Sequence, residues 1–141
     1  MVDAETGEER VLDRTSGVGL VEAVAASCAV PAVWPPVTID GRRYIDGGVR
    51  SGSNADLAAD ADTVVVLAPM PEMAQFFDPE VGAALDKLAG RAGTVFLGPD
   101  ESSAAAFGAN PLDPATRAPS ARAGRAQAAD VAETVRAVWQ P

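Results

Sequence analysis

The residues best placed to do chemistry lie between Arg42 and Ala58, RRYIDGGVRSGSNADLA. Asp46 stands between an aromatic, strand-like run and the pair Gly47 and Gly48, and a polar segment then leads to an apolar strand. Two readings fit this triplet. Asp-Gly-Gly is good turn chemistry, because glycine supplies backbone freedom and an aspartate bonds its own backbone. It is also a way to present a carboxylate at the end of a strand, where it can take a proton from a neighbouring nucleophile.

The 141 residues include no histidine. Ser-His-Asp, Cys-His and His-ligated metal chemistry within this chain are therefore excluded, and a hydrolase built on it must activate its nucleophile differently. Cys28 lies near a helix end in the apolar context AASCAV, which reads as a small buried core residue rather than a thiolate nucleophile. Ser27, in the same stretch, reads as a structural or capping residue. Asp56, Asp60 and Asp62 do not follow the spacing of a calcium-binding loop and read as a solvated helix face.

Bulk properties narrow the field further. The chain has 48% hydrophobic residues and a mean hydropathy of +0.07, enough for a real core in one domain. A net charge of -9 and a pI near 4.3 exclude a basic nucleic-acid footprint and disfavour electrostatic docking on anionic lipid, while leaving apolar contact with a membrane open. No apolar run approaches the roughly 18 residues of a membrane span. The polar start MVDAETGEER does not resemble a secretory signal, and the single cysteine forms no internal disulfide, so a reducing, cytoplasmic setting is expected.

The positioning elements follow from pattern. Val2 to Leu12 reads as a turn at Thr6-Gly7 with a short extended segment. Gly19 to Val30 has helical spacing, with Ser16 as its cap and Pro31 as its stop. Pro35-Pro36 break the chain, and Asp40-Gly41 is a strong two-residue hairpin signal between VTI and RRYI. Asn54 to Ala61 holds one short helical turn. Thr63 to Ala68, apolar and β-branched, reads as a strand buried on both faces of a parallel sheet. A helix from Pro79 with Gly93 near its C-cap, a second buried strand TVFLGPD and a last helix over Ala121 to Trp139 complete the chain. The alternation predicts an α/β fold with a mainly parallel sheet, small and incomplete.

With these elements in place, the segment from Leu20 to Pro69 resembles the patatin-like phospholipase family. Four pieces match in order: AASCAVPAVWPPV, YIDGGV, NADLA and VVVLAP. The tail from Pro99 to Gln127 is similar to bacterial members. The resemblance implies a three-layer α/β/α sandwich of which residues 1–141 form the C-terminal part of a single domain. It implies a lipid ester or phospholipid as substrate and a Ser-Asp dyad, in which a serine attacks the ester carbonyl and an aspartate takes its proton. By position Asp46 is that aspartate, and Gly47 and Gly48 let the backbone pass close to the serine's elbow. No metal or organic cofactor is implied. In the family the loop that carries Trp34 lies near the substrate cleft, although Trp34 as ordinary core reads as well.

The chain departs from the family in one large respect. None of the serines at 16, 27, 51, 53, 102, 103 and 120 has glycine two residues before and two after, so the Gly-x-Ser-x-Gly elbow is absent, as is the glycine-rich oxyanion loop. A smaller departure is Ala32, where many relatives have glycine. Two hypotheses follow. In the first the chain is part of a serine-dependent lipid acyl hydrolase with Asp46 as proton acceptor, and is inactive alone. In the second it is a non-catalytic remnant or a module that completes its sheet with another chain, since a sheet missing strands exposes edges that favour association.

Overall fold

A computed structural model describes residues 1–69, 79–91, 93–110 and 112–139. Ala92, within the expected helix region, and Pro111, within the tail likeness, lie outside the described residues. The chain is an α/β fold in two compact units, one built on Met1–Asn54 with the described residues 79–82, and the other on 55–69 and the described residues from 83 onward.

The first unit holds a three-stranded antiparallel sheet, with β1 (Val2–Asp3) and β2 (Val37–Ile39) on either side of β3 (Arg42–Ile45). The β2–β3 turn is the expected Asp40-Gly41, with φ of 53° and 79° at its two residues. That double positive φ is the mirror-image turn whose twist matches paired strands. Register sets Tyr44 opposite both Val37 and Asp3. Alternation then turns Tyr44 inward, where only 2% of it is exposed, against Ile39 and Ala26. Its hydroxyl accepts a 2.8 Å hydrogen bond from Arg10 Nη1, whose guanidinium also lies 5.2 Å from the ring centre. A buried phenol is thereby satisfied at its polar end and covered by a cation.

Asp3 stands beside Tyr44 as a buried carboxylate. Its Oδ1 accepts from the backbone N–H groups of Glu5 and Thr6, and Arg42 Nε lies 2.8 Å from Oδ2 as a charge contact rather than an aligned hydrogen bond. The two backbone donors, then the Arg42 charge, hold this carboxyl below the usual aspartate range.

Helix α1 (Leu20–Ser27) packs through Ala26, on the core formed with Ile39 and Tyr44. It ends earlier than the Pro31 stop implied, because Cys28 leaves helical geometry at φ −111°. Its cap is Gly19 rather than Ser16, whose hydroxyl instead accepts the Asp13 N–H and closes the preceding loop. Cys28 is exposed, which corrects the buried reading: the inward positions of this stretch fall to Ala26 and Ala29. Trp34 is likewise 63% exposed and is not core. The outward face of α1 carries Leu20 and Val21, exposed by 79% and 83%, and Val24.

In the second unit β4 (Val64–Leu67) pairs in parallel with β5 (Thr94–Leu97), in the register Val64 to Thr94 through Leu67 to Leu97. Val64 and Val66 join Ala55 and Leu88 in the core, Leu88 coming from α2 (Pro79–Ala89). Leu67 is 71% exposed, so β4 buries one face and not both. Among the described residues its only sheet partner is β5, which leaves too few strands to cover the other side. Gly93 is not a helix cap. A Cβ there would stand 2.2 Å from the Asp62 carbonyl oxygen, so glycine is required where the two parallel strands begin side by side.

Helix α3 (Glu101–Ala106) is too short to show in the sequence pattern, yet Asp100 caps it by accepting the Ser103 N–H at 2.6 Å. Helix α4 (Arg117–Val138) starts four residues earlier than the pattern implied, continuing a 3-10 turn over Pro114–Thr116 that Asp113 caps. Its half-buried residues, Ser120, Ala123, Gln127, Val131, Val135 and Val138, recur at intervals of three and four and form one helical stripe.

Candidate functional site

Asp46 follows the last residue of β3 and caps a single 3-10 turn, Gly47–Val49. Its own N–H donates to the Ala29 carbonyl at 3.1 Å, which fastens the end of β3 to the segment leaving α1. Its side chain turns back on the chain, and Oδ1 accepts the Gly48 N–H at 2.6 Å. The other oxygen, Oδ2, has no hydrogen-bond partner among the described residues, and the residue is half-buried. One oxygen is thus oriented and the other is open to an incoming donor.

The glycines owe their place to this geometry. A Cβ on Gly48 would lie 2.8 Å from Asp46 Oδ1, so any side chain there would push the carboxylate off its amide. A Cβ on Gly47 would meet the amino terminus of Met1 at 3.3 Å. Within the described residues, then, the glycines clear space for the aspartate's own carboxylate and for the start of β1.

Asn54 braces the loop that follows. It adopts φ 48°, a left-handed conformation that asparagine tolerates better than most residues. From there Nδ2 donates to the carbonyls of Gly47 and Ser51 at 3.2 and 2.8 Å, and the Asn54 N–H donates to Ser51 Oγ at 2.9 Å. Oδ1 accepts from Arg50 Nη1, and Arg50 Nε pairs with Glu9 at 2.5 Å. Ser51 is 1% exposed and its hydroxyl is engaged by Asn54. No serine hydroxyl among the described residues hydrogen-bonds Asp46.

The structure therefore brings Asp46, Gly47 and Gly48 together with Asn54, Ser51 and Arg50, and leaves Cys28 and Ser27 on the exposed end of α1. The brace by Asn54 was only partly legible: its segment was recognisable by position, but the role of its side chain required the positive φ. Ser51, Arg50 and Glu9 carried no signal in the sequence beyond polarity. Among the described residues no group of histidine, cysteine and carboxylate side chains is arranged to hold a metal ion. No described helix is long and apolar enough to cross a membrane.

No curated protein matches the chain. β4 and everything after it lie beyond the reach of the family comparison. Residues 1–59, which carry α1, the three-stranded sheet, Asp46 and Asn54, match the model of the patatin-like phospholipase family.

Proposed function

We propose that Asp46 is the proton acceptor of a Ser-Asp dyad in a lipid acyl hydrolase. The observation that supports this reading is the divided carboxylate, with Oδ1 held on the Gly48 amide and Oδ2 open at the end of a strand. In this reading residues 1–141 are the C-terminal part of one acyl hydrolase domain working in a reducing compartment, and the serine comes from outside them. The serine hydroxyl attacks the ester carbonyl of a lipid as its proton passes to Asp46 Oδ2. The proton then goes to the departing alcohol, and water hydrolyses the acyl-serine with the same carboxylate as base. The loop from Gly47 to Asn54 keeps the carboxylate in place through these steps.

Intact mass of the native protein comes first. A mass above 14.4 kDa by about 100 residues or more supplies room for the elbow. In that protein Asp46→Asn keeps an acceptor for the Gly48 amide but cannot take a proton. Ester hydrolysis should fall by about 10²–10⁴-fold with the fold intact. Activity retained in Asp46→Asn sinks the proposal.

A second reading is supported by the apolar face of α1 and by the two-stranded β4–β5 sheet. A chain that leaves Leu20, Val21 and Val24 open and, among the described residues, pairs β4 on one edge only is suited to complete itself against another chain. Size-exclusion of the 141-residue chain separates the two: a cooperative, concentration-independent monomer argues against complementation.

A further inference from the structure

The second unit contains a cleft that the Asp46 reading does not use. β4 and β5 run in parallel and so end on the same side, where Leu67 and Pro69 face Leu97, with Phe107 beyond α3 and Val131 on α4. The space between them is about 390 Å³, within the size range of small-molecule sites. Its position outside the carboxyl ends of parallel strands is where open α/β sheets bind ligands.

The chemistry of the walls selects the ligand. Among the described residues, none that lines the cleft is charged, and the chain as a whole carries −9. An anionic head group brought here would lose water and gain no counter-charge. The polar side chains among these described residues are Ser103, Ser120 and Gln127. Two already serve the fold: Ser120 Oγ donates to the Ala106 carbonyl at 3.1 Å, and Gln127 Nε2 to the Gly98 carbonyl at 2.7 Å. Ser103 differs. It is 5% exposed, and its hydroxyl has no hydrogen-bond partner among the described residues, a state that folded proteins seldom leave unrelieved.

We infer that this cleft is a binding site for a neutral, mainly aliphatic molecule with a single hydroxyl or equivalent group, the polar end engaging Ser103 and the chain lying between α4 and the strand ends. The site stands independently of Asp46. Gly124 offers a clean way to close it, because it sits in α4, lines the cleft, and a Cβ there meets nothing within 4 Å. Leucine at 124 also raises helix propensity, so the variant keeps its fold.

The test is an amide NMR titration of the full chain with n-octanol and, separately, with octanoate at neutral pH. The expected result is saturable shifts at Gly98, Gly124 and Gln127 with n-octanol at a Kd of about 1 mM or tighter. Octanoate should bind at least about tenfold more weakly. Gly124→Leu should abolish the shifts, with its helical circular dichroism retained. Ser103→Ala, nearly isosteric and losing no internal bond, should weaken n-octanol by about three- to tenfold. Absence of saturable shifts, or their survival in Gly124→Leu, overturns the site; octanoate binding as well as n-octanol overturns the neutral-ligand assignment; unchanged n-octanol affinity in Ser103→Ala overturns the role of that hydroxyl.

Discussion

Replacing Ala32 by glycine should make the protein more stable, although glycine usually does the reverse. The segment Val30 to Val33 is a tight turn, in which the Val33 N–H donates to the Val30 carbonyl at 3.1 Å and the Trp34 N–H reaches the same oxygen at 2.9 Å. Pro31 sets the second position, and Ala32, at the third, is forced to φ 67°. A positive φ at this place is what a Pro-Gly turn supplies without strain. For alanine the left-handed conformation costs roughly 1–2 kcal/mol. Glycine removes that cost but gives the unfolded chain extra freedom worth about 0.4–1 kcal/mol. The net gain is about 0.5–1 kcal/mol, or a rise of roughly 2–5 °C in Tm. Urea unfolding followed by Trp34 fluorescence, in a Trp139→Phe background, reads this unit directly. Ala32→Val is the opposing control, because a β-branched residue at positive φ should lose at least about 1 kcal/mol. A midpoint that fails to rise in Ala32→Gly, together with a tolerated valine, would refute the reasoning.

Other perturbations have equally definite expectations. The Asp3 carboxyl is held below its unfolded value, so its contribution is present above about pH 4 and is lost as pH falls through the folded value. Urea midpoints measured between neutral and acid pH should therefore drop for the wild type below about pH 4, and less steeply for Asp3→Asn. At Asn54 the order of stability should be asparagine, then glycine, then alanine. Glycine loses the two side-chain donations and the bond accepted from Arg50, about 1.5–4 kcal/mol in all, and alanine also strains the backbone by about 1 kcal/mol more. Gly93→Ala places a methyl against the Asp62 carbonyl and should cost about 3 kcal/mol or more, read by chemical denaturation.

What the sequence made legible was mostly local. Asp40-Gly41 announced its turn because two adjacent positive φ values admit few residue pairs, and Val64 to Leu67 announced a strand by branching alone. The parallel pairing of β4 with β5 followed from the intervening helix. Burial was less legible. Cys28, Trp34 and Leu67 are apolar by type, yet each stands exposed because nothing in the described residues packs on that side. Hydrophobicity says that a surface seeks cover; it does not say whether the cover is present. Helix α3 escaped notice for another reason: six residues give no periodicity to count, and only Asp100 and Glu101 mark its start. At the candidate site the position of Asp46 could be read, but its contact with the Gly48 amide and the part played by Asn54 depend on dihedral angles that residue types only suggest.

The bonds that hold Asp46 and its loop have one further consequence, which concerns time. Asp46 to Gly48, Gly47 to Asn54 and Ser51 to Asn54 span separations of only two, seven and three residues. Closing so short a loop takes tens of nanoseconds, and its entropy cost is small. Each time thermal motion opens these three contacts, they can therefore re-form locally. The local contacts of the carboxylate thus repair themselves quickly, while the bond from the Asp46 N–H to the Ala29 carbonyl and the Arg50–Glu9 pair tie the loop to slower motions of the unit.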